Sequence, residues 1–112
     1  MKKLEMIVRP ERFEELKSAL DKVGVHGITV TEVMGCGNQK GHKEIMRGQE
    51  VSITLLHKFK VEVFVNDSQA DAVIAAALVV VNTGRVGDGK IFIESFEDAV
   101  RIRTGEQGEI AI

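Results

Sequence analysis

The chain has 112 residues, enough for one domain with a modest core. Its 44% hydrophobic and 29% charged content argues against disorder, and a net charge of −2 argues against a nucleic-acid binder working through bulk positive charge. A single cysteine excludes an internal disulfide and fits a reducing cytoplasm; the apolar run 72–81 is too short to span a bilayer, and Met1–Glu5 lacks the apolar stretch of a signal peptide.

Leu4, Met6 and Val8 alternate with Glu5, Ile7 and Arg9, which predicts a strand with one apolar face. Pro10 ends it and suits the first position of a helix carrying Phe13, Leu16, Leu20 and Val23 at helical spacing, with Gly24 as its stop. His26–Met34, rich in β-branched residues, predicts a second strand. From Gly35 to His57 the periodicity fails amid four glycines and many charges, and Val51–Leu55 alternates only weakly. A loop this long in a small domain is expected to act as a lid or an interaction loop. Phe59, Val61, Val63 and Val65 restore the alternation as a third strand. Ser68–Asp71 has capping-box spacing before Val73, Ile74, Ala77, Leu78 and Val81, a helix apolar enough to be largely buried. A fourth strand at Ile91–Ile93, a helical turn near Phe96–Val100 and a polar tail from Arg101 complete the chain.

This order predicts an α+β, ferredoxin-like βαββαβ sandwich over residues 1–112: one four-stranded antiparallel sheet with two helices on one face and a long loop between strands 2 and 3. The uncovered sheet face, with Ile7 and Phe64, predicts self-association.

Between the second helix and the last strand lies Asn82-Thr83-Gly84-Arg85-Val86-Gly87-Asp88-Gly89-Lys90. Three glycines let backbone amides approach a ligand closely, and Arg85 and Lys90 add positive charge, a composition suited to a polyphosphate. Gly84 to Lys90 fits the first seven positions of a P-loop. Ile91 replaces the Mg²⁺-binding hydroxyl, however, and the loop runs from helix to strand instead of strand to helix. It is therefore not a P-loop. It is either an anion loop of another kind or a tight glycine turn. Arg101 and Arg103, at i and i+2, are forks suited to phosphate oxygens, or solvated surface charge.

Thr29-Val30-Thr31-Glu32-Val33, Gln39-Lys40-Gly41-His42, Thr83-Gly84 with Val86 to Phe92, and Arg101 to Glu106 together resemble the nitrogen-regulatory PII signal-transduction proteins, across essentially the whole chain. The resemblance implies a cytoplasmic homotrimer of ferredoxin-like subunits that is not an enzyme. It would bind ATP or ADP between subunits and take up 2-oxoglutarate with Mg²⁺-ATP. It implies nucleotide contacts at Thr29, Gly35, Cys36, Gly37, Asn38, Gln39, Glu62, Phe64, Gly87, Asp88, Gly89, Lys90, Arg101 and Arg103. Gln39 would reach Mg²⁺ held by ATP, and Gln39, Lys40, Gly41, Lys58 and Gly87 would hold 2-oxoglutarate. Residues 37–57 would be the partner-binding loop, 82–90 the nucleotide loop and 101–112 a C-terminal segment. Partners would be an ammonium channel, entered by Arg47 and recruiting the protein to the membrane, or glutamine synthetase; a nucleic acid is not among them.

The departures carry information. The tyrosine that some members nucleotidylylate is Val51 here, and the chain contains no Tyr, so that modification is chemically excluded. Gln49 stands where other members carry a phosphorylated serine, leaving Ser52 and Thr54 as hydroxyl acceptors. Asn38 replaces a common arginine, and His57 a common proline. His26, His42 and His57 lack metal-ligand spacing, and Cys36 has no assignable base. Two other readings compete: an acylphosphatase-like phosphohydrolase, which would use Arg9 but lacks a glycine cradle around it, and a structural trimer with a vestigial site.

Overall fold

A computed structural model of the chain describes residues 1–36, 43–46, 49–52 and 55–112. Its elements are β1 (Lys2–Val8), a 3₁₀ turn (Pro10–Arg12), α1 (Phe13–Lys22), β2 (Thr29–Gly35), β3 (Lys43–Met46), β4 (Gln49–Ser52), β5 (Leu56–Val65), α2 (Asp67–Val81), β6 (Lys90–Ser95) and a second 3₁₀ turn (Gly108–Ala111). The main sheet runs β2-β5-β1-β6 with every neighbour antiparallel, the ferredoxin-like order.

The alternation of β1 decides which face is buried. Leu4, Met6 and Val8 are at most 1% exposed, and the register sets Leu4 beside Val63 and Met6 beside Val61. Leu16 and Leu20 of α1, with Val73, Ala77 and Val81 of α2, close over them. Each such apolar side chain contributes about 1.5–3 kcal/mol on burial, so this layer dominates stability.

The opposite face is more polar than Ile7 and Phe64 alone suggest. Lys3 meets Glu62 at 3.0 Å and Glu5 at 3.7 Å, and Lys60 meets Glu5 at 4.0 Å. Phe64 and Phe92 remain about half exposed among these charges.

Several boundaries differ from the sequence expectation. Residues 43–46 and 49–52 form a hairpin inside the expected loop, pairing only with each other among the described residues. Leu56, His57 and Lys58 belong to β5, opposite Gly35, Met34 and Val33. Helix α2 starts two residues earlier than Ser68 implied: Asn66 is its N-cap, its N–H donating to Gln69 Oε1 at 3.1 Å. The same helix is not largely buried, since Leu78 and Val79 are 49% and 82% exposed. Residues 96–100 form no helical turn. There Asp98 Oδ1 accepts the N–H groups of Ala99 and Gly108, Val100 bridges Gln107, and the tail folds back as a hairpin instead.

Candidate functional site

Helix α2 ends at Val81, and the chain then turns through three glycines with positive φ: Gly84 (78°), Gly87 (99°) and Gly89 (95°). Gly89 is also pressed against β1, where a Cβ would lie 1.7 Å from the Ile7 carbonyl oxygen. Only glycine fits there.

Asp88 organises the loop from within. Its carboxylate accepts the Thr83 hydroxyl, the Thr83 N–H (2.8 Å), the Gly84 N–H (3.0 Å) and Arg9 Nε (3.0 Å). The Thr83 hydroxyl above all, then Arg9 and the two amides, hold this carboxyl well below the usual carboxylate range against a smaller opposing effect of burial. The Asp88 side chain points into the loop, and its backbone amide, the group expected to meet a phosphate, makes no hydrogen bond among the described residues. A group with a depressed native pKa stabilises the fold above its unfolded value, near about 4, and loses that contribution as pH falls further. Asp88→Asn should therefore lower the urea midpoint at neutral pH, with a deficit that narrows on acidification below about pH 4. Midpoints measured across that range check this; a deficit independent of pH would contradict it.

Two cations tether the loop's carbonyls. Arg9 Nη2 donates to the Val86 carbonyl at 2.9 Å and Lys58 Nζ to the Gly87 carbonyl at 2.6 Å. Burial, then the nearby Arg9 guanidinium, push Lys58 down from the ordinary lysine value. Among the described residues, the amides of Val86, Gly87, Asp88 and Gly89 meet no acceptor within the chain. Consecutive unclaimed amides of this kind fit an anion. Lys90 opens β6 opposite Ile7 and is exposed.

The remaining candidates fall into separate places. Gly35 ends β2 two positions beyond Val33, the partner of Lys58, and Cys36 follows it, exposed. Thr29 and Glu62 face each other across β2 and β5, and Phe64 meets Phe96 edge-on at 5.3 Å. These line a cavity of about 810 Å³ with Gly27, Gln69 and Asp98. Thr29 lies on one edge strand and Lys90 on the other, three strand spacings or roughly 14 Å apart. Arg101 is spent within its own hairpin, on Glu106 (2.9 Å) and the Ile110 carbonyl (2.8 Å), whereas Arg103 is exposed and has no partner among the described residues. Gly37, Asn38, Gln39, Lys40, Gly41 and Arg47 lie outside the described residues. Among the described residues no cluster of His, Cys, Asp or Glu could hold a metal, and no helix is long and apolar enough to cross a membrane.

A family model described as "Nitrogen regulatory protein P-II" matches residues 1–106. The chain belongs to the P-II family of nitrogen regulatory proteins. It is 53% identical over 112 residues to the nitrogen regulatory protein P-II of Rhizobium meliloti, covering both chains completely. It is 49% identical over 112 residues to the P-II 2 protein of Methanothermobacter thermautotrophicus, covering all of this chain and 97% of the relative. The solved structure of B. subtilis GlnK superposes with a TM-score of 0.81 at 41% identity, over 99% of this chain and 97% of that one. P-II proteins are signal transducers of nitrogen metabolism and not enzymes. That settles the phosphohydrolase reading, and the geometry agrees: Arg9 turns two of its donors to Asp88 and Val86. Arg9 and Thr83 were missing from the sequence-derived site. Both contact Asp88, a link between residues 9 and 88 that sequence spacing does not display.

Proposed function

We propose that this P-II protein is a nitrogen-status sensor that binds ATP and ADP in competition, at sites shared between neighbouring copies in a homotrimer. The observation that carries this reading is the row of unclaimed amides from Val86 to Gly89, held by Asp88 from inside the loop. One copy supplies these amides with Lys90; the next supplies Thr29, Glu62 and Phe64 for the base, and Arg101 and Arg103 for the phosphates. The roughly 14 Å between the two sheet edges favours this division. Gly35, Cys36, Gly37 and Asn38 flank the nucleotide, and Gln39 reaches the Mg²⁺ carried by ATP. 2-Oxoglutarate then binds against Gln39, Lys40, Gly41, Lys58 and Gly87. The loop 37–57, through Arg47, passes the result to a partner in the cytoplasm or at the membrane, such as glutamine synthetase or an ammonium channel. A ligand shifts that loop only by binding one pose better than another.

Calorimetry with ATP, ADP and 2-oxoglutarate tests this. Each nucleotide should displace the other, and 2-oxoglutarate should bind only with Mg²⁺-ATP present, since its few contacts alone offer too little for a small dianion. Equal 2-oxoglutarate binding with and without nucleotide would overturn the linked site. Absence of nucleotide binding would overturn the sensor reading altogether.

A further inference from the structure

Arg9 is the buried charged side chain among the described residues, 7% exposed at the end of β1. Pro10 follows it, and the residue before a proline is held in extended backbone; Arg9 has φ −65° and ψ 136°. Its guanidinium spends Nε on Asp88 and Nη2 on the Val86 carbonyl. A buried ion pair is a weak source of stability, because desolvation offsets much of the attraction. What this pair supplies is direction.

A trans peptide is planar, with its C=O and N–H on opposite sides. Among the described residues no peptide bond is cis. Fixing the Val86 carbonyl toward Arg9 therefore turns the Gly87 N–H away from Arg9, and fixing the Gly87 carbonyl toward Lys58 turns the Asp88 N–H away from Lys58. These are two of the four amides that meet no acceptor. Glycine at 87, with φ 99°, has the conformational freedom to flip that plane, so its outward pose needs an external hold. Asp88 cannot supply it alone, since its loop contacts are to Thr83 and Gly84, at the other end of the turn.

We infer that Arg9 is a positioning residue of the nucleotide loop: by holding the Val86 carbonyl and Asp88 it aims the Gly87 amide outward at the phosphates, without touching the nucleotide itself. This rests on the nucleotide reading given above. It also separates the two cations under the loop, Arg9 aiming one peptide plane and Lys58 the next.

The test is Arg9→Met in the full chain, with the Gly87 amide resonance followed by ¹⁵N NMR in the ligand-free protein and ATP binding followed by calorimetry. The Gly87 resonance should move before any ligand is added while Gly24 and Gly105 stay in place, and ATP affinity should fall about tenfold, the loss of one well-aimed charge-assisted contact. Arg9→Lys keeps the charge but not the two-pronged geometry, so it should recover only part of the affinity; it carries the same test should Arg9→Met not fold. An unmoved Gly87 resonance, with or without weakened binding, would overturn the positioning role. So would a moved resonance with undiminished affinity. If the parent protein binds no ATP, the nucleotide reading falls instead, a result distinguishable from either of these.

Discussion

Gly89→Ala is expected to be the most damaging single-methyl change in the glycine loop. The added Cβ would sit 1.7 Å from the Ile7 carbonyl oxygen and 2.8 Å from its carbonyl carbon, both backbone atoms of a central strand. No side-chain rotation relieves that overlap, so β6 must separate from β1 where the two begin to pair, at Ile7 and Lys90. The φ of 95° adds a backbone term of about 1–2 kcal/mol for any residue with a Cβ. Together these should cost roughly 3 kcal/mol or more. Gly84→Ala is the matched control: it has a similar φ of 78°, but nothing lies within 4 Å of its Cβ position. It should cost only the backbone term. Urea denaturation of the two variants decides the matter, and equal losses would show that the contact with Ile7 is easily relieved.

The sheet and its buried face are legible in the sequence because a single physical requirement writes them. Leu4, Met6 and Val8, and Val61, Val63 and Val65, must all face one apolar layer, and period two follows. The hairpin of β3 and β4 is not legible in the same way: among the described residues its strands pair with each other and not with the main sheet. Near the C-terminus, a short run with scattered apolar residues reads as helix, yet one carboxylate, Asp98, takes the amides of Ala99 and Gly108 and folds the segment otherwise. Such long-range side-chain bonds leave no periodic trace.

The candidate site divides along the same line. Glycines 84, 87 and 89 announce a loop with unusual backbone, and the structure gives each a positive φ. What the glycines do not announce is how the loop is held. Asp88 reads as one more polar residue in a phosphate loop, but its carboxylate is the post around which the turn is tied. Arg9 reads as the end of a strand, and its partners Asp88 and the Val86 carbonyl lie almost eighty residues further along the chain.

Arg103→Ala should weaken ATP and ADP binding by about 1.5–3 kcal/mol, the worth of one hydrogen bond to a charged group. Arg103 is chosen over Arg101 because the latter holds its own hairpin together through Glu106 and the Ile110 carbonyl, so its removal would confuse binding with folding. Arg103 has no such duty within the chain among the described residues. If the site is shared between copies, the loss must be repairable in trans. Lys90→Ala damages the glycine-loop half of a site and Arg103→Ala the opposite half, so each variant alone has only weakened sites. A mixed assembly of the two, purified through a different tag on each, contains some sites where an intact loop meets an intact arginine. Calorimetry of that assembly should reveal a class of sites with parental affinity beside the weakened ones. A site built within one chain has no such rescue, because every chain in the mixture carries one lesion. Uniformly weak binding in a properly mixed assembly would place Arg103 on its own subunit's loop and overturn the two-copy site.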